Sequence, residues 1–178
     1  MTTSNPRIVF ALISTFLVLT AVTTTVIRIP IPATTGYFNL GDIFIIAAGL
    51  LFGPVGGAVT GAIGAGAADL IGYPQFVLAT AITKGLEGLL VGLLSRGALL
   101  TISRAWVAAI VGGLTMVAGY FVFEAYIYPA LGATMPFFKV TNMQDAIVEL
   151  LPNVVQAAIG ATGGIGLWRA LSGLRSPT

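Results

Sequence analysis

The sequence predicts an all-α, polytopic membrane protein, and three observations carry that fold class. Of the 178 residues, 57% are hydrophobic and 8% charged, against about 25% charged in a typical soluble domain. Mean hydropathy is +1.00. Apolar runs recur along the whole chain, with no intervening stretch long enough for a soluble module, so residues 1–178 read as one membrane domain. Composition also bounds the chemistry. With neither cysteine nor histidine, thiol nucleophiles, disulfides, haem, zinc and imidazole acid–base catalysis drop out together. No catalytic residue, metal site or cofactor is expected, and the protein is read as a non-enzyme. The formal charge of +2 comes from only eight basic residues, whose placement suits membrane topology better than nucleic-acid binding.

Six hydrophobic segments can be drawn, at about 8–27, 40–53, 55–71, 78–95, 105–125 and 146–168. The first has about 20 apolar residues, enough to span on its own, and is read as a membrane helix rather than a cleaved signal. The second, at roughly 14 residues and ~21 Å, falls short of the ~30 Å hydrocarbon core, so it is expected to tilt, to be partly buried or to stop short of spanning. Gly53-Pro54 is the turn that separates it from the third. In the third, Gly57, Gly61 and Ala65 recur every four residues, a smooth face that lets a neighbouring helix backbone come close. Gly88/Gly92 and Gly160/Gly164 repeat that spacing and take the same packing reading.

Orientation follows from the basic residues. With the N-terminus inside, Arg7, Arg96, Arg104, Arg169 and Arg175 are cytoplasmic, Arg28 and Lys139 lie outside, and Lys84 is within a helix. The reverse arrangement leaves two inside, so six helices with both termini in the cytoplasm are expected. In this topology all six acids (Asp42, Asp69, Glu87, Glu124, Asp145, Glu149) fall at or toward the outer helix ends, as do Lys84, Asn153 and Gln156. Tyr37, Tyr73, Tyr126 and Tyr128 occupy the outer connections. Residues 28–39, with two prolines and a glycine, are expected to form an irregular or short extended segment, and residues 125–144 are similarly broken; both are natural lids. A molecule polar at one end only describes an outward-facing pocket better than a through-channel.

The stretch Gly36–Gly92 holds four of the charges, Asp42, Asp69, Lys84 and Glu87, at depths where each costs roughly 2.5–3.5 kcal/mol unless it faces a polar cavity or a partner. Lys84 and Glu87, three apart on one helix face, are within reach of each other. They read equally as a mutually neutralising pair and as ligand contacts. Asp42 opens the second helix, where a cap role is at least as good a reading. Asp69 reads as an interface anchor, while Glu124 and Glu149 are close enough to the boundary to be solvated. Asn153 and Gln156 follow Pro152 on one face of the last helix, suited either to gluing helices or to reading the edge of a ring.

The run GYFNLGDIFIIAAGLLFGPVGGAVTGAIGAGAADLIGYPQFVLATAITKGLEGLLVGLLSR, Gly36 to Arg96, resembles the substrate-binding S components of energy-coupling factor (ECF) vitamin transporters, riboflavin-type branch. The segment Leu151-Pro152-Asn153-Val154-Val155-Gln156 fits the same branch, and chain length, helix count and termini agree. The resemblance implies high-affinity binding of a water-soluble vitamin or precursor in the plasma membrane of a prokaryote. It also implies partnership with a transmembrane T subunit and two cytoplasmic ATPases, and delivery by toppling of the S component in the bilayer. The aromatic outer loops favour a flat ligand. Matching the family's binding segments points to Tyr37, Asn39, Lys84, Glu87, Asn142, Asn153 and Gln156. The family docks on the T subunit through an Ala-x-x-x-Ala face of the first helix, for which this chain offers Ala11 and Thr15. Two alternatives stand beside it: a stand-alone carrier or channel, which needs polar residues continuing to the cytoplasmic side, and a non-transporting scaffold, which needs no buried charges.

Overall fold

The computed structural model of the chain describes residues 5–97 and 100–173; Arg175, assigned above to the cytoplasmic side, lies outside them. Helix α1, Pro6–Val26, starts at Asn5, whose side chain accepts from the Arg7 amide at 3.0 Å, with Pro6 in the first turn where its missing N–H costs nothing. The first outer connection is a small antiparallel hairpin, β1 (Ile29–Pro30) against β2 (Tyr37–Phe38), turned through Ala33 at φ 68°. Helix α2, Asp42–Asp69, follows. Helix α3, Val77–Leu94, is entered through a 3₁₀ turn at Pro74–Phe76. Helix α4 runs Ile102–Gly132 and α5 Met143–Gly173.

Among the described residues, five helices are long and apolar enough to cross a membrane. The second and third sequence segments are joined in α2, which is not straight. Gly53 adopts φ 76°, ψ −168° inside it, a conformation open to glycine but strained for other residues. A Cβ placed on Gly57 would sit 2.9 Å from Gly49 Cα, whereas eight residues of straight helix span about 12 Å. The chain therefore reverses at Gly53, and the two arms of α2 lie side by side. Pro54 opens the second arm, where a first-turn N–H has no helical acceptor.

Two other boundaries depart from expectation for identifiable reasons. Instead of ending near residue 125, α4 continues to Gly132 through a widened, π-type turn at Phe123–Ile127. Pro129 falls in the first turn after it, where proline is tolerated. Helix α5 starts at Met143 because Asn142 and Asp145 form a reciprocal cap. Asn142 Oδ1 accepts from the amides of Gln144 (2.8 Å) and Asp145 (3.2 Å), and Asp145 Oδ2 accepts from the Asn142 amide (3.1 Å).

The α2 hairpin is the centre of the bundle: 61% of its most apolar window is buried, against 17% for α1. The glycine faces explain how. Gly57 lies directly against the Gly88 backbone, and Gly61 against the Lys84 carbonyl, so a Cβ at any of these would collide with main chain. Gly160 packs on Asp42 Cβ and Gly164 on Ile46. Without water to drive association, helices in lipid gain cohesion from such close backbone contact. Ile46, Leu50, Val91, Ala105, Ala108, Ala109, Ala161 and Ile165 fill the space between α2, α3, α4 and α5. Gly57→Leu is expected to destabilise the fold by about 1–3 kcal/mol, the usual range for overpacking. Gly166→Ala, with nothing within 4 Å, should change stability by less than about 0.5 kcal/mol. Thermal unfolding in detergent distinguishes the two.

Candidate functional site

The deepest polar feature is an ion cluster in which the Lys84–Glu87 pair that the helical spacing suggested is joined by Asp42. Lys84 Nζ hydrogen-bonds Asp42 Oδ1 at the start of α2, with Glu87 Oε2 further off at 3.7 Å. All three side chains are at most 1% exposed. The second oxygen of Asp42 accepts from Gln156 Nε2 at 2.8 Å, and Gln156 Oε1 accepts from the Asn39 amide at 2.8 Å. Asn39 Oδ1 in turn accepts from the Gly41 amide at 2.9 Å. The chain of bonds ties the first outer loop, α2, α3 and α5 together at one level. Each link offsets the desolvation of the next, which is the condition under which buried charge is tolerated.

Directly outside this network lies a cavity of about 30 Å³, lined by Gly36, Tyr37, Asn39, Asp69, Phe76, Thr80, Tyr120, Glu124, Asn153 and Gln156. Gln156 and Asn39 are its floor and the Lys84 pair lies one layer below, with Nζ 5.6 Å from the Tyr120 ring. Tyr37 forms one wall. Its hydroxyl donates to Asp69 Oδ1, and its ring meets Tyr73 at 4.7 Å between centroids. Burial, reinforced by the Asp69 carboxylate, pushes the Tyr37 phenol above its ordinary pKa, so the hydroxyl stays a neutral donor. Arg28 is clamped at the rim, donating to the carbonyls of Ala68 and Ile71 with its guanidinium 5.1 Å from both the Tyr37 and Tyr73 rings. Behind the lining residue Phe76, Tyr128 is buried among Phe76, Phe123 and Phe138 and donates to the Gln75 carbonyl at 2.8 Å. Gly36 brings backbone to the cavity edge: its amide donates to Glu149 Oε1 at 3.1 Å, and a Cβ there would overlap that carboxylate.

Of the residues picked from sequence, Tyr37, Asn39, Asn153 and Gln156 line the cavity, and the structure brings them together from β2 with the loop after it and from α5. Lys84 and Glu87 do not line it; they support it from below. Asn142 is exposed and occupied in capping α5. Asp69, read from sequence as an interface anchor, is fully buried at the cavity wall, and Asp42, for which a cap was at least as good a reading as a functional role, holds Lys84. Thr80, paired with the Tyr120 hydroxyl at 3.0 Å, and Phe76 carried no sequence signal beyond being on the outer side. For Glu124 the signal was its charge alone. Ala11 and Thr15 are exposed on α1, with the Thr15 hydroxyl donating to the Ala11 carbonyl at 2.9 Å.

Comparison with known proteins gives two findings. Residues 8–172 match the family model described as ECF-type riboflavin transporter, S component. A protein of Pyrococcus woesei, named only as an uncharacterized protein in gap 3'region, is 40% identical over 146 residues, covering 82% of this chain and 89% of the relative.

The ion pair generates a stability prediction. Lys84→Met leaves Asp42 and Glu87 buried without a cation and is expected to cost about 3–5 kcal/mol. Adding Asp42→Asn should recover part of that loss. A double-mutant cycle on unfolding in detergent that returned simple additivity would show that Lys84 and Asp42 do not depend on each other.

Proposed function

Starting from the fact that the chain belongs to the ECF-type riboflavin transporter S component family, a family of membrane transport subunits and not of enzymes, we propose that it captures a vitamin-like solute in the cavity between β2, α2, α3, α4 and α5. In this reading the solute is a flat, water-soluble aromatic vitamin or precursor arriving from the exterior of a prokaryotic plasma membrane. The protein crosses the bilayer six times, the two arms of α2 counting separately, with both termini cytoplasmic. Delivery depends on a T subunit and two ATPases, since the chain has no nucleotide-binding loop of its own.

The observation that carries the reading is an aromatic-walled cavity whose polar groups are not all used internally. Among the described residues Asn153 has no side-chain hydrogen-bond partner, although it is only 7% exposed. An amide left free at a cavity wall offers one acceptor and two donors to a ligand edge. At about 30 Å³ the cavity holds roughly one water, whereas small-molecule sites occupy about 300–1,000 Å³. Admission of a vitamin therefore requires the Ile29–Phe38 hairpin and the loop around Pro136–Phe138 to part, and these close over the ligand as lids. The exposed Ala11/Thr15 face of α1 is the docking surface for the T subunit, small enough for a close helix crossing.

Two measurements test this. Protein purified from its native membrane and analysed by mass spectrometry should release a stoichiometric small solute, and Asn153→Ala should weaken rebinding by about tenfold, the equivalent of one lost hydrogen bond in a dry site. A preparation that carries no solute and binds none from a vitamin panel would refute the binding role. In a second experiment, Ala11→Trp with Thr15→Trp should block co-purification with a T subunit while leaving solute affinity unchanged. Loss of affinity in that variant, or intact assembly, would remove α1 as the docking face.

A further inference from the structure

The outer half of the molecule has more buried acid than buried base. Asp42, Asp69, Glu87, Glu124 and Glu149 are each at most 3% exposed, and the buried cation among them is Lys84. Lys84 is spent on Asp42 and Glu87 beneath the cavity floor. Arg28 is spent on backbone carbonyls and aromatic rings at the rim. Among the described residues, no cationic side chain comes within 4 Å of Asp69, Glu124 or Glu149.

Two of these three acids face the cavity with an oxygen left over. Asp69 uses Oδ1 on the Tyr37 hydroxyl, and its buried Oδ2 has no partner; Glu124 Oε2 is buried and also without one. Glu149 adds a third carboxyl at the cavity edge, where it accepts from the Gly36 amide at 3.1 Å. Buried carboxyl groups without a cation beside them either keep a proton or take up a bound positive charge. The remaining lining fits a cation as well. Phe76, Tyr37 and Tyr120 present aromatic rings, whose faces attract positive charge, more so when water is excluded.

Resting on the vitamin-capture reading above, we infer that the solute of this cavity is an organic cation. It is a flat heterocycle with a positively charged ring nitrogen or a protonated amine, placed between Asp69 and Glu124 and stacked on the aromatic wall. In that position a neutral flavin-like ring would have its carbonyl oxygens satisfied only by a carboxyl that keeps its proton. An anionic vitamin would find no free cation to receive it.

Calorimetry on the purified protein with three probes separates these cases: thiamine as a cationic aromatic, riboflavin as a neutral one and biotin as an anion. The formal charge at neutral pH of any solute that co-purifies is determined alongside by mass spectrometry. Thiamine is expected to bind at least tenfold more tightly than riboflavin or biotin. Glu124→Gln and Asp69→Asn should each lower its affinity by about tenfold or more, as for a lost charge-assisted hydrogen bond. If the carboxamide variants fail to fold, the ranking of the three probes on the wild-type protein decides. Tighter binding of riboflavin or biotin, a co-purified solute that is neutral or anionic, or undiminished thiamine affinity in folded variants would overturn the inference while leaving the capture reading intact. Absence of both bound solute and probe binding would overturn the two together.

Discussion

The Lys84–Asp42 ion pair is the interaction on which the rest of the structure depends. An ammonium and a carboxylate at this depth are each too costly to leave alone, so the helices that carry them have one acceptable arrangement at that level. Asp42 opens the first arm of α2, Lys84 sits in the middle of α3, and Gln156 brings α5 to the second Asp42 oxygen. Asn39 extends the same network into the outer loop. The floor of the cavity is thereby fixed by side chains that never reach a ligand. Such a layer is useful to a binding protein because it holds the lining residues in place whether or not the cavity is filled.

Small residues make that convergence geometrically possible. Lys84 meets Asp42 because its own helix backbone touches α2 at Gly61 and Gly57, and α5 approaches Asp42 through Gly160. A methyl group at any of these contacts would push the helices apart and leave the ion pair stretched. The two kinds of interaction therefore reinforce each other: close backbone packing brings the charges within bonding distance, and the charges set the level at which the smooth faces register. The reversal at Gly53 contributes as well, since it turns α2 back to the level of Asp42, where Asp69 joins Glu124 in lining the cavity.

Above this layer the molecule changes character. The wall is aromatic, the polar groups are only partly satisfied, and the segment at the cavity edge is a two-residue-per-strand hairpin, an element with few backbone bonds to hold it shut. A rigid floor under a loosely latched roof is the division of labour expected of a protein that must bind a solute firmly and later release it. The cavity is narrow where aromatic side chains pack on one another at its edge, Tyr37 on Tyr73.

By itself the sequence determined the membrane class, the all-α architecture, the Gly53-Pro54 break, the glycine packing faces and the gathering of polar residues toward one end. Each is a consequence of composition or local spacing, which a linear chain displays directly. It also pointed to four cavity residues, Tyr37, Asn39, Asn153 and Gln156, through loop aromatics and amides out of place in lipid. Only the tertiary structure decided which charges pair. Helical spacing put Glu87 within reach of Lys84, three residues away, and that pair is present at 3.7 Å, but the closer partner, Asp42, comes from another helix and enters only once the backbones touch. Likewise Asn142 carried a capping signal, Asn-x-x-Asp, that local chemistry satisfies, while Asp69 and Glu124 gained their place from the reversal at Gly53 and the widened turn at Phe123–Ile127. Which acid faces a cavity and which faces a lysine depends on contacts between segments far apart in the chain, and no local pattern encodes those.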